Sequence, residues 1–236
     1  MKVSVVVPAF NEEALLTGSL AAIREAMGAF EDAELIVCDN NSTDRTAEIA
    51  RMADAKVVFE PLNQIARARN TGAAAASGDW LLFVDADSYP TVELLEEARA
   101  AMASGCLAGG ATVAFESADR TIRLWIAAWN FLSRRARWAA GSFIFCEAAA
   151  FRRLGGFSQD LYAGEEIDLF RRLKRLAREQ RREIVILHRN PLRTSDRKMH
   201  LYTKREHLTF ILKTLLLGGR NLRSRESCYA WYDGRR

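Results

Sequence analysis

Cysteine is scarce. The four in 236 residues, Cys38, Cys106, Cys146 and Cys228, lie far apart and form no CxxC pair. That spacing excludes a zinc ribbon and a disulfide framework and points to a reducing, cytosolic setting. Long apolar runs are also missing. Leu124–Trp129 and Leu215–Leu217 fall far short of the roughly 20 residues a spanning helix needs, so any membrane contact is expected to be peripheral, at the inner face. The chain opens on the strand-like VSVVVP, from which we expect no signal peptide. There is no GxGxxG after the first apolar run and no GxxxxGK[ST] anywhere, so the two common phosphate-cradling loops are absent. A bound nucleotide would have to be held by a different turn. No repeat or low-complexity linker divides the chain.

What is present is ordinary globular material, with 49% hydrophobic and 27% charged residues, enough for one large domain. The net charge of +4 hides an asymmetry. Residues 1–170 carry a net −9 and residues 171–236 a net +13. An acidic front and a basic tail suggest different partners. The tail is either a solvated basic surface or a region that meets phosphates or an anionic membrane. Nucleic acid is disfavoured by the acidic front.

Along the first half, short apolar runs alternate with helical patterns. Strands are expected at 3–7, 35–38, 56–59 and 80–84. Helices are expected from Asn11 as cap to about 27, from Ser42 or Thr43 as cap to about 53, and over 66–76. Continuous apolar strands alternating with helices imply a mostly parallel sheet covered on both faces. Beyond it the pattern predicts helices at 91–104, 121–137, 166–178 and 204–217, and strands at 111–115, 142–146 and 183–187. We therefore expect one α/β domain over 1–190, with halves at 1–110 and 111–190. A basic helical extension over 191–236 should pack on the same domain.

Open parallel sheets bind ligands beyond the carboxyl ends of their strands. Three polar clusters sit at such ends, Pro8–Glu13, Asp39–Asp44 and Asp85–Asp87. Neighbouring strands would bring them to one crevice. Asp85 and Asp87 flank a single alanine, and carboxylates so close repel unless a cation is near. Hard divalent ions bind through one or two carboxylates plus substrate phosphates, so this DAD suits Mg²⁺ or Mn²⁺ holding a diphosphate. Asp39 can accept hydrogen bonds from a base or ribose. Of Arg67 and Arg69, one suits phosphate or ribose and the other a surface acid; Arg67 is favoured for the first role. His188, His200 and His207 are expected to be structural, with His200 an outside candidate for a third metal ligand.

Taken together, VSVVVPAFNEE at 3–13, VCDNNSTDRT at 37–46, ARARNTG at 66–72, WLLFVDAD at 80–87, GSFIFCEAAAFRRLGGF at 141–157 and AGEEIDLFRRLKR at 163–175 resemble a family-2 glycosyltransferase of the GT-A fold. The likeness covers about residues 3–175. It implies a UDP- or GDP-linked sugar donor, a divalent metal and inversion at the anomeric carbon. Pro8, Ala9, Phe10, Asn11, Glu12 and Asp39 would hold the nucleoside, and Arg67 would lie near the base or phosphate. Asp85 would approach ribose and metal, and Asp87 would ligate the metal. The family places its base in a Glu-Asp pair. Here the pair is Glu165–Glu166, one methylene longer at the second position, so Glu166 is the expected base and Glu165 could share the role. Asp168 would support the helix terminus. Gly141 and Ser142 would begin the acceptor pocket, and Gly155–Gly156 a tight turn before the acidic pair. The acceptor would be a hydroxyl compound, a saccharide or a lipid-linked one. The Trp/Arg helix at 121–138 is either core packing or a membrane-facing element. RTSDRK at 193–198 would close over the diphosphate or form a solvated basic loop. The aromatic ending CYAWYDGRR could dock back on the body.

Two other classes compete. A binding module with a nucleotide pocket and no turnover is favoured by the Glu-for-Asp change. A nucleotidyltransferase would show a glycine-rich first loop, which the acidic PAFNEE is not.

Overall fold

The computed structural model describes residues 1–115, 120–139, 141–195, 197, 206, 209, 213–214 and 216–232. The strands are β1 (Lys2–Ala9), β2 (Asp32–Asp39), β3 (Lys56–Phe59), β4 (Trp80–Val84), β5 (Ser88–Tyr89), β6 (Ala108–Phe115), β7 (Phe143–Glu147) and β8 (Ile184–Thr194). Between them run α1 (Glu13–Met27), α2 (Thr46–Met52), α3 (Ile65–Ala74), α4 (Val92–Ala103), α5 (Arg120–Ala136), α6 (Ala148–Arg153) and α7 (Glu165–Glu179), with a short α8 (Tyr229–Tyr232) near the end. All strands join one sheet in the order β3-β2-β1-β4-β7-β6-β8-β5.

The sheet is parallel throughout its first half and mixed in its second. β3, β2, β1 and β4 run parallel, β7 lies antiparallel to both β4 and β6, and β8 is parallel to β6 and antiparallel to β5. Four of the seven pairings are parallel, in line with the mostly parallel expectation, and the three antiparallel pairings of β7 and β5 make the sheet mixed. β6 and β7, joined through α5, run in opposite senses, a pairing that needs no crossover.

Side-chain alternation along the strands builds two apolar layers. Val3, Val5 and Val7 of β1 and Trp80, Leu82 and Val84 of β4 face the layer capped by α1, α2, α4 and α5. Val6, Leu81 and Phe83 face the other layer, capped by α3, α6 and α7. α3 lies flat on β1 because Gly72 has no side chain; a Cβ there would stand 2.4 Å from a Val6 methyl.

Two expected caps are not caps. Asn11 sits in the left-handed region (φ 51°) and α1 starts after Glu12. α2 starts after Arg45, not at Ser42 or Thr43. In both places the short polar side chains bond across to the other loop instead. The helix expected at 204–217 falls mostly outside the described residues. The described tail holds two short 3₁₀ turns, Arg220–Arg223 and Glu226–Cys228, followed by α8.

Candidate functional site

Because β2, β1 and β4 are neighbours, the loops after them meet at one edge of the sheet. The first two are knitted together. Asn11 N donates to Ser42 Oγ (3.0 Å), Glu12 N to Thr46 Oγ1 (2.8 Å) and Glu13 N to Asp44 Oδ2 (3.1 Å). In return Thr43 N donates to Asn11 Oδ1 (2.8 Å) and Arg45 N to Glu13 Oε2 (3.1 Å). Ala9 O accepts from Asn40 N (2.8 Å), and the buried Asp39 carboxylate accepts from Ser42 N (3.0 Å). The Pro8–Glu12 turn and Asp39 are thus adjacent. Glu12 is buried and grips Arg197 with both oxygens, at 2.9 and 2.8 Å.

Arg197 belongs to the segment expected to close over a diphosphate; here its guanidinium is engaged by Glu12. The same segment is stitched to the acidic loop, since Ser195 N donates to Asp87 O (3.0 Å) and Ser88 pairs with Thr194. Asp196, Lys198 and His200 lie outside the described residues.

The centre of the site is Arg69. It is 1% exposed and donates to Glu165 Oε1 (2.6 Å), Asp85 Oδ1 (2.9 Å) and Gly141 O (2.8 Å). Its guanidinium also lies over the Phe157 ring, 5.2 Å from the centroid. Burial works against its charge, and Asp85, Glu165 and Glu166 more than compensate, so it is held protonated. The expectation that the arginine other than Arg67 would meet a surface acid is therefore corrected: its partners are buried acids at the heart of the cleft. Arg67 is half-buried and donates to Gln64 Oε1 (3.0 Å). The signal for Arg69 was in the spacing. Ala66, Arg69, Gly72 and Ala73 form the buried stripe of α3, at i, i+3, i+6 and i+7.

Around Arg69 the structure gathers most of the expected residues. Asp85 N donates to Ser142 O (3.2 Å), which places Gly141–Ser142 against the DAD loop. A Cβ on Gly141 would lie 3.2 Å from an Arg69 nitrogen and 3.7 Å from the Glu166 carboxyl carbon. Glu165 is buried on Arg69, whereas Glu166 keeps part of its surface. Burial in the cleft and the Glu165 charge push the Glu166 carboxyl up to about 8, against the pull of Arg69. Asp87 is buried on the same loop as Asp85.

The loop before α7 is braced from several sides. Gly155 and Gly156 have φ of 75° and 70°, making the expected turn. Asn70 brackets Phe157, accepting from its N–H and donating to its carbonyl, both at 2.9 Å. Arg172 donates to the carbonyls of Leu154 (2.7 Å) and Gly156 (2.8 Å) and pairs with Asp168. Gln64 Nε2 donates to the carbonyls of Gln159 and Leu161. The tail completes the brace. Tyr162 N donates to Leu222 O (2.7 Å), the Tyr232 and Tyr162 rings meet edge-on, and Tyr232 Oη accepts from Ile65 N (3.2 Å). Asn70, inside ARARNTG, and Tyr232, inside the aromatic ending expected to dock back, brace this loop, as does Gln64, which lies outside every quoted motif.

This scaffold can be compared with known proteins. The family model described as glycosyl transferase family 2 matches residues 4–156. The chain belongs to that family. A validoxylamine A glucosyltransferase from Streptomyces hygroscopicus subsp. jinggangensis is 30% identical over 213 residues, covering 72% of this chain and 50% of its own. The chain spans about half the length of the curated glucosyltransferases it matches. Among solved structures, a family-2-like fold recurs in TarS 1–349 from Staphylococcus aureus, with TM-score 0.65 and 20% identity over 89% of this chain and 65% of that one. A mannosyltransferase from Pyrobaculum calidifontis in complex with GDP-Man and Mn²⁺ gives TM-score 0.70 at 19% identity, over 94% and 62%. The Mycobacterium tuberculosis glucosyl-3-phosphoglycerate synthase, solved with Mn²⁺, UDP and phosphoglyceric acid, gives 0.62 at 19%, over 91% and 76%. This chain shares the GT-A glycosyltransferase fold with these three solved structures.

Proposed function

We propose that this family-2 glycosyltransferase chain moves a sugar from a UDP- or GDP-linked donor to a hydroxyl acceptor, with inversion. The observation that carries the reading is Arg69, a single buried cation joining Asp85 on the donor side to Glu165 on the base side. The Pro8–Glu12 turn and Asp39 hold the nucleoside, Arg67 lies near the base or phosphate, and Gly141–Ser142 form the near wall of the acceptor pocket. Glu165 is committed to Arg69, so Glu166 takes the acceptor proton. The acceptor oxygen bonds to the anomeric carbon from the face opposite the phosphate. The bond from that carbon to the phosphate oxygen breaks, and its electron pair leaves with the nucleoside diphosphate. A base of raised affinity for protons suits the first transfer, which is typically worth 10²–10⁴-fold.

Asp85 and Asp87 would hold Mn²⁺ or Mg²⁺. Their hard carboxylate donors suit such an ion, which would complete its coordination with donor oxygens and water. When bound, that ion neutralises charge on the departing diphosphate. The acceptor, saccharide or lipid-linked, is met at the inner face of the membrane in this reading, and no helix among the described residues is long and apolar enough to cross one.

Thermal shift against nucleoside diphosphates, with and without Mn²⁺, tests the donor half. At a hundredfold excess over Kd, a ligand adds about 2.7 kcal/mol to the folded state. One base should raise the melting point by several degrees, only with metal, and Asp87→Ala should lose that shift. An unchanged Mn²⁺-dependent shift in Asp87→Ala would overturn the metal assignment. No shift with any nucleotide would overturn the donor reading.

A further inference from the structure

α5 is apolar on two sides. Ile126 and Trp129 pack inward against the α1/α4 layer. On the outward arc, Leu124 is 71% exposed, Phe131 73% and Leu132 46%, with Ala127 and Ala128 exposed between them. At 100° per residue these positions fall on one stripe. An exposed apolar stripe of this kind marks an interaction surface. The helix carries no acid. Arg123 and Arg134 flank one side of the stripe, Arg135 ends it, Arg137 follows it, and none of the four pairs with a carboxylate among the described residues.

Beside the stripe lies a cleft of about 450 Å³ between α5, β6 and β8, where Arg123, Arg134 and His188 stand among Ile126, Phe131 and Pro191. The cleft is fixed in place. Asn130 accepts from Val113 N (3.0 Å) and donates to Val113 O (2.8 Å), filling the bulge where β6 and β8 slip register. The chemistry of the surface is therefore an apolar ridge beside a basic hollow with no acid in its lining.

We propose that α5 is an interfacial helix that docks this protein on an anionic lipid surface, with the adjoining basic cleft receiving a headgroup phosphate. Leu124, Phe131 and Leu132 enter the headgroup–acyl boundary and the arginines meet lipid phosphates, the arrangement such helices use. A second copy is a poor occupant, because a two-fold contact would set arginine against arginine. The docked helix also leads straight to the reacting centre. Only four residues separate Ala136 from Gly141, a reach of at most about 18 Å over five steps. Resting on the transfer reading above, this brings a lipid-borne hydroxyl within range of Glu166.

Flotation with vesicles tests the docking without donor or acceptor, so it can fail while the transfer reading stands. The full chain is expected to float with phosphatidylcholine vesicles containing phosphatidylglycerol, to stay behind with phosphatidylcholine alone, and to be released by salt. Each arginine near such a surface is worth about 1 kcal/mol, so Arg134→Gln with Arg135→Gln should weaken partitioning about thirtyfold. Leu124→Asp with Phe131→Asp should abolish it while leaving the melting point and the nucleotide shift in place. Binding that survives both pairs would overturn the assignment to α5, as would equal binding to neutral vesicles. Inorganic phosphate that stabilises the wild type, and not Arg134→Gln, with no vesicle binding would give the cleft to a free anion and overturn the proposal. A wild-type dimer that Phe131→Asp separates, again with no vesicle binding, would give the stripe to self-association and overturn it too.

Discussion

Residues 11–13 and 42–46 belong to loops 31 to 34 positions apart in sequence, yet they exchange hydrogen bonds directly and need no third element. Glu165 and Glu166, across the cleft, are held from elsewhere. Arg69 reaches them from α3, Asn70 and Gln64 fix the loop before them, and the tail at 220–232 closes over that loop. Short polar side chains bonding to backbone make the proposed donor side a preformed cradle. The acidic pair depends on one buried cation and on contacts that span much of the chain. The donor side should therefore tolerate damage that disables the base side.

The largest expected effect removes the cation itself. Arg69→Leu strands Asp85 and Glu165, which lose a fully buried partner. Breaking a buried pair from one side costs about 3–5 kcal/mol, or roughly ten degrees of melting temperature for a chain of this size. Restoring a charge with Arg69→Lys should recover only part of it, because a lysine cannot reproduce three divergent contacts. A Leu variant melting within two degrees or so of wild type would mean that the cluster is already solvated. Nucleotide binding, if the Leu variant is folded, should survive better than transfer.

Next comes the base. Glu166→Gln should keep the donor-induced thermal shift and lose transfer by about 10²–10⁴-fold. It also has a signature that needs no substrate. The folded Glu166 carboxyl holds its proton up to about 8, far above its ordinary 4.5. Its contribution to stability is then full below the ordinary value and lost as pH rises through the folded one. In metal-free buffer the wild type should lose melting temperature between about pH 5 and 8, and Glu166→Gln should flatten that slope. An identical slope in both would assign the titration to another group.

The halves also differ in how far they could be read in advance. Trp80–Val84 falls where the apolar run put it, since a buried strand writes itself as an unbroken hydrophobic string, and the edge strand Lys56–Phe59, exposed at both ends, also falls where expected. Strand direction is not written that way, so β7 gave no hint of lying antiparallel between β4 and β6. β8 extends to Thr194, well past the expected Leu187, because residues around the bulge, Pro191 among them, look like a loop. Asn11, Ser42 and Thr43 have the chemistry of helix caps and spend it on each other's loops. The acids of the site were legible from motif and strand end. Arg69 was masked by Arg67, two positions away, and only the small-residue stripe of α3 tells them apart. The basic tail proved partly internal, with Arg172, Arg182 and Arg197 bonded to carboxylates and carbonyls of the body.

The smallest expected effect probes the most distant brace. Tyr232 Oη accepts from Ile65 N, at the start of the helix that carries Arg69, and its ring meets Tyr162 in the loop before Glu165. Tyr232→Phe keeps the ring contact and deletes the acceptor, which leaves one backbone N–H without a partner. The cost should be about 1 kcal/mol, a few degrees at most. If the tail only adds stability, that shift is the whole effect. If it positions the base, kcat should fall by more than the loss of folded protein explains, while the donor-induced thermal shift stays as it was. Tyr232→Ala, which removes the ring contact as well, should then lower kcat further with the nucleotide shift still unchanged. A parallel loss of both readouts would place the tail on the donor side and erase the distinction between the two walls of the cleft.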